Sequence, residues 1–133
     1  PEMLRVFHDH VREKYNAEPG FITMNMPGLY QSLTDVGVDN PIICSNINKI
    51  GFRTCGGLDA YVETLKTGKL RAIAMSIFAS GAIPPHEAIK WLSGLPNLEA
   101  IVFGASSRRN IVSTRDLVDE YFGEVPTLQK PTG

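Results

Sequence analysis

Residues 70–110 read LRAIAMSIFASGAIPPHEAIKWLSGLPNLEAIVFGASSRRN, and they carry the fold. Leu70, Ala72, Ile73, Ala74 and Met75 form an almost continuous apolar run, the pattern of a strand buried on both faces rather than an alternating one. A loop over 76–85 follows. A helix is predicted over 86–93, with Pro85 near its start and Gly94 and Pro96 ending it. A second apolar run, 100–103, enters Gly104, Ala105, Ser106 and Ser107 and then a helix from about 109 to 122. Two strands joined through a helix at a spacing of roughly 30 residues make a parallel βαβ unit.

The same grammar extends upstream. Residues 41–44 open a strand with Ile42, Ile43 and Cys44, the loop 45–57 is polar and glycine-bearing, and a helix over 58–67 is closed by Gly68. Before that, 21–24 is a short apolar strand and 29–36 a helix ending at Gly37. Leu4, Val6, Phe7, Val11 and Tyr15 recur mostly at three- and four-residue spacing, so 2–15 is an amphipathic helix. The expected organisation is an N-terminal helix region (1–20), four βα units (21–123) and a proline-bearing tail (124–133).

Parallel βα units with polar, glycine-rich loops after the strands and short turns after the helices are the composition of a (β/α)8 barrel of the TIM type, whose working loops lie at the C-terminal strand ends. Four units are half of such a barrel. A half-barrel leaves two sheet edges and its inner face uncovered, so pairing with a second copy or with a missing N-terminal half is expected, closure as an open sandwich being the alternative. The chain begins at Pro1 and opens directly in a helix, which reads as a piece of a longer protein.

Composition narrows the function. The chain has 133 residues, 43% of them hydrophobic, and its 13 basic and 14 acidic residues leave a net charge of -1. That is enough apolar material for a core and no broad attraction to nucleic acid or an anionic membrane. No apolar run approaches the ~20 residues of a membrane span, and the N-terminal sequence lacks a signal-peptide core, so a cytoplasmic protein is expected. Cys44 and Cys55 fit neither a disulfide framework nor zinc-ligand spacing and read as reduced packing residues.

The strongest chemical signal is Phe103, Gly104, Ala105, Ser106, Ser107, Arg108, Arg109 and Asn110, a strand leading through a small-residue turn into a helix. Free N–H groups at a helix start favour an anion, and the two hydroxyls and the guanidinium groups add donors suited to phosphate. The plain alternative is a serine N-cap beside solvated arginines. Barrels frequently build their anion site from the last two strand ends, so the loop carrying Phe78, Ala79, Ser80 and Gly81 is the natural second wall.

Residues 72–111, with FITMN (21–25) and PIICSNIN (41–48) upstream, resemble the closing half of the aldo/keto reductase barrel, strands five to eight, and the resemblance spans about 21–118. It implies that Gly104, Ala105, Ser106, Ser107 and Arg108 surround the phosphate of a nicotinamide cofactor, NADP in the parent protein, with residues 77–81 on its other side. Asn25 or Asn48 would take the place of the amide that holds the nicotinamide. Thr114 stands where that family often has an adenine-contacting Asn. The family's Asp, Tyr, Lys and His tetrad comes from its first four units, so this chain alone is not expected to transfer a hydride; the parent is a candidate NAD(P)-dependent oxidoreductase. The rival expectation is a non-catalytic, self-assembling half-barrel that keeps the anion loop as a remnant.

The remaining candidates are weaker. His8 and His10 point to different helix faces and cannot share a metal. His86 begins a helix near the strand ends, where an acid or base can act, though a solvent-facing first-turn residue is the favoured reading. Lys49 and Arg53, in the polar loop with Asn46 and Asn48, are able to bind a carboxylate or a second phosphate, the alternative being solvated charges. Asp35, Asp39, Asp59 and Glu63 fall on helices or the opposite rim, which argues against paired-carboxylate hydrolysis. Tyr30, Tyr61, Trp91, Tyr121 and Phe122 are expected to pack helix on sheet, not to stack on bases.

Overall fold

The structure is a computed structural model that describes residues 2–123; the expected tail, 124–133, lies outside the described residues. Five α-helices and four strands alternate: α1 (Glu2–Tyr15), β1 (Gly20–Thr23), α2 (Met26–Asp35), β2 (Ile42–Asn46), α3 (Leu58–Lys66), β3 (Arg71–Met75), α4 (Pro85–Ser93), β4 (Leu98–Ile101) and α5 (Arg108–Phe122). All three strand pairs are parallel and the order is β1-β2-β3-β4. A doubly wound sheet reverses its order at a switch point, and no reversal occurs here. With right-handed crossovers, sequential order sends every connecting helix to the same face of the sheet.

Side-chain burial follows from that arrangement. Phe21, Ile43, Ala72 and Leu98 lie in register in one row, and Thr23, Ser45, Ala74 and Ile101 in the next. This face packs under Leu33 of α2, Tyr61 and Leu65 of α3, and Ile89 and Leu92 of α4, with Leu4 of α1 and Leu117 of α5 at the margins. The opposite face carries the row Ile22, Cys44, Ile73 and Ala100, and none of the described residues covers it: Ile22 is 71% exposed, and Met24 and Val102 beyond the strand ends are more than half exposed. An apolar parallel sheet with one bare face departs from the usual two-sided burial of such sheets.

Local chemistry explains the element boundaries, and four departures from expectation appear. Helix α2 starts at Met26 rather than near Leu29, because the Asn25 side chain accepts the Gly28 N–H at 3.1 Å and Pro27 fits the first turn. The loop after β1 is therefore short, unlike those after β2 and β3. Strand β4 begins at Leu98, two residues before the apolar window, because Glu99 occupies a bulge between Leu98 and Ala100. There Arg71 donates to Glu99 through both Nε and Nη2 and also reaches Glu18. Helix α1 buries none of its residues; Phe7 meets Phe21 edge-to-face at 5.5 Å, but Val6 and Tyr15 are mostly exposed. Likewise Phe122, expected in the core, is 40% exposed at the end of α5. Both helices lie at the sheet margins, where one flank of each lacks a neighbour among the described residues. Gly37 (φ 75°) and Gly68 (φ 63°) close α2 and α3 in the left-handed conformation that a side chain resists.

Candidate functional site

The C-terminal ends of the strands carry the molecule's strained backbone. Among the described residues, three of the seven non-glycine residues with positive φ are asparagines, Asn16, Asn40 and Asn97, which tolerate that conformation and lie in turns on the opposite rim. The other four are Arg53, Ser76, Ala79 and Ser80, all in loops that follow β2 and β3. Each costs on the order of 1–2 kcal/mol relative to a right-handed or extended residue, so the surrounding structure holds this rim against a local preference.

Two cavities open there. The larger, about 420 Å³, lies between the ends of β3 and β4 and is lined by Met75, Ser76, Ile77, Phe78, Ser80, Gly81, Val102, Phe103 and Gly104. Of the residues expected to hold phosphate, Ser80, Gly81 and Gly104 therefore meet around one space. Ala105, Ser106, Ser107, Arg108, Arg109 and Asn110 are exposed beside it and do not line it. Ser107 is the N-cap of α5 and accepts the Asn110 N–H at 3.2 Å, and the Asn110 side chain donates to Ser106 Oγ at 3.2 Å. Such a cap is worth about 1 kcal/mol to the helix. Neither Arg108 nor Arg109 forms an ion pair among the described residues.

The smaller cavity, about 360 Å³, lies over β1 and β2 and shares Met75 and Ser76 with the first. Ile22, Thr23, Met24, Asn46 and Arg53 complete it. Its architecture rests on hydrogen bonds that no sequence period announces. Fully buried Tyr61 donates to the Met24 carbonyl at 2.6 Å and accepts the Met26 N–H at 3.1 Å, and its oxygen lies 3.3 Å from Ser45 Oγ. Ser45 in turn donates to the Thr23 carbonyl at 2.7 Å, and Cys55 N–H reaches the Met24 carbonyl at 2.9 Å. The end of β1 is thus tied to α3 and to the β2 loop at once.

Asn48 is fully buried and its amide is used within its own loop: Nδ2 donates to the Phe52 carbonyl at 2.9 Å and Oδ1 accepts the Phe52 N–H at 2.7 Å. It lines neither cavity. Asn25 is likewise engaged as the α2 cap. Lys49 is paired with Glu87 of α4, whereas Arg53 forms no ion pair among the described residues. His86 Nε2 meets Tyr121 Oη at 2.6 Å, joining the first turn of α4 to the last turn of α5, and Thr114 is buried on α5. Burial pushes the Cys44 thiol above its ordinary value, which keeps it protonated and a poor nucleophile. Among the described residues no three His, Cys, Asp or Glu side chains converge on a point where a metal ion fits, and no helix is long and apolar enough to cross a membrane. What fold and site define together is an α/β protein with a singly covered parallel sheet and a two-chambered rim at its strand ends. Comparison with protein-family models, with curated proteins and with solved structures finds no match to this chain.

Proposed function

We propose that the chain is the second half of a (β/α)8 barrel related to the aldo/keto reductases, and that its rim binds the phosphate of a nucleotide cofactor or of a phosphorylated small molecule. The observation that carries the reading is the cavity between the ends of β3 and β4, walled by Ser80 and Gly81 on one side and Gly104 on the other. The Ser80 hydroxyl belongs to a space bounded by the left-handed residues Ser76, Ser80 and Gly81, and the exposed start of α5, with Ser106, Arg108 and Arg109, stands at its margin. An oxyanion there would be met by the Ser80 hydroxyl and by the arginine guanidinium groups at the start of α5. Sequential parallel strands, helices on one face and a bare apolar inner face support the barrel part of the reading. In a closed barrel, α1 and α5 would each gain the neighbour that their exposed flanks lack.

Titration of the purified chain with NADPH and with 2′-phospho-ADP-ribose tests the proposal. Saturable binding is expected, weakened at least tenfold by Gly104→Leu, which fills the cavity from a position where an added Cβ meets no atom within 4 Å, and severalfold by Arg108→Ala. A chain that melts cooperatively yet binds neither ligand overturns the cofactor assignment. The bare face favours one rival specifically, a half-barrel that assembles with itself without a ligand. A dimer by light scattering, with no anion binding, would establish it.

A further inference from the structure

The smaller chamber has a chemistry of its own. Ile22, Met24 and Met75 give it apolar walls, and Arg53 is its one cationic lining residue. Three contacts prepare that arginine. Asn48 clamps both backbone groups of Phe52, the Phe52 ring lies under the Arg53 guanidinium with 5.0 Å between ring centre and Cζ, and Asn46 Nδ2 reaches the Arg53 carbonyl at 3.4 Å. Stacking on a ring fixes the plane of a guanidinium while leaving the N–H groups at its edge available. Arg53 also sits at φ 58°, a conformation in which glycine or asparagine would be easier to hold. With Lys49 taken by Glu87, Arg53 is the cation of this loop left without a carboxylate among the described residues.

We propose that Arg53 anchors the carboxylate of a small amphipathic organic acid whose hydrocarbon part lies on Ile22, Met24 and Met75. A planar carboxylate matches the guanidinium edge with two parallel hydrogen bonds, and a chamber of about 360 Å³ accepts a short aliphatic chain behind it. Asn48 and Phe52 are positioning residues for this anchor. The assignment does not depend on the phosphate reading of the neighbouring chamber, although the shared Met75 and Ser76 place the two ligands side by side.

The test is calorimetric titration of the purified chain at low ionic strength with hexanoate, with hexanamide and with inorganic phosphate, together with thermal melts. Hexanoate should bind saturably and hexanamide at least tenfold more weakly. Arg53→Gly should weaken hexanoate at least tenfold with Tm unchanged or raised, because glycine relieves the left-handed backbone, and Arg53→Lys should weaken it severalfold. The NADPH titration should be unaffected by Arg53→Gly, which separates this site from the other. Equal binding of acid and amide, retention of hexanoate within twofold by Arg53→Gly, a lowered Tm in that variant, or no hexanoate binding by a cooperatively folded chain each overturns the proposal. Arg53-dependent phosphate binding tighter than that of hexanoate would overturn the carboxylate assignment.

Discussion

Replacing Tyr61 by Phe removes one oxygen and leaves the ring, so the variant isolates the hydrogen bonds that tie the end of β1 to α3. The Met24 carbonyl would keep the Cys55 N–H at 2.9 Å, and Ser45 Oγ would keep the Thr23 carbonyl at 2.7 Å. The Met26 N–H would lose its acceptor at a residue with 0% exposure. A buried donor left unpaired costs about 1–3 kcal/mol, and the lost bond to Met24 about 1 kcal/mol more. The expected loss is therefore about 3 kcal/mol. For a chain of this size 1 kcal/mol moves Tm by roughly 3–5 °C, which gives a fall of roughly 10 °C. Urea unfolding followed by far-UV circular dichroism measures the free energy, and a thermal melt measures Tm. Because Ser45 and Tyr61 share one network, Ser45→Ala with Tyr61→Phe should cost less than the sum of the single changes. A loss under about 0.5 kcal/mol would refute the view that this phenol holds the β1 end, since the Met26 N–H would then have an adequate partner elsewhere.

Two further perturbations probe the sheet. The Arg71 hydrogen bonds hold the Glu99 carboxyl below its ordinary value of 4.5. A depressed carboxylate contributes stability that is present above that value and is lost as pH falls through the lowered one. Urea midpoints measured from pH 6 to pH 3 should therefore fall less steeply in Glu99→Gln than in the parent, and less steeply for the parent in high salt, because both groups are partly solvated; identical slopes would remove Glu99 from the acid response. Ile22→Lys puts a charge on the bare face at a residue 71% exposed. It should change stability by no more than about 0.5 kcal/mol while reducing fluorescence of an apolar dye and any self-association seen by light scattering. A large destabilisation would mean that Ile22 is already packed.

The strand-and-helix alternation was legible because its signals are local: apolar runs in residues 42–44 and 70–75, Pro85 at a helix start, Gly37 and Gly68 at helix ends. The same locality exposed the small-residue turn at Gly104 and the neighbouring Ser80 and Gly81, three residues that converge on one cavity. Locality also misled. Glu99 fell outside the predicted strand because its bulge and its partner Arg71 depend on pairing with another strand. Asn48 read as a ligand contact because an asparagine in a strand-end loop looks the same whether it faces solvent or clamps Phe52. Tyr61 packs in the core as expected, but its hydroxyl bonds went unread because their partners, Met24, Met26 and Ser45, lie in the connection after β1, at the start of α2 and in β2. A left-handed arginine at position 53 has no counterpart in any composition signal.

By itself, then, the sequence determined the succession of elements, the parallel character of the strands and the small-residue turn at the last strand, since these follow from side-chain period and turn chemistry within a few neighbouring residues. The tertiary structure alone decided the bulge at Glu99, the pairing of Lys49 with Glu87 and the alignment of Arg53 over Phe52. Those features depend on register and close approach in three dimensions, through backbone conformations and contacts that the local pattern of residues does not encode.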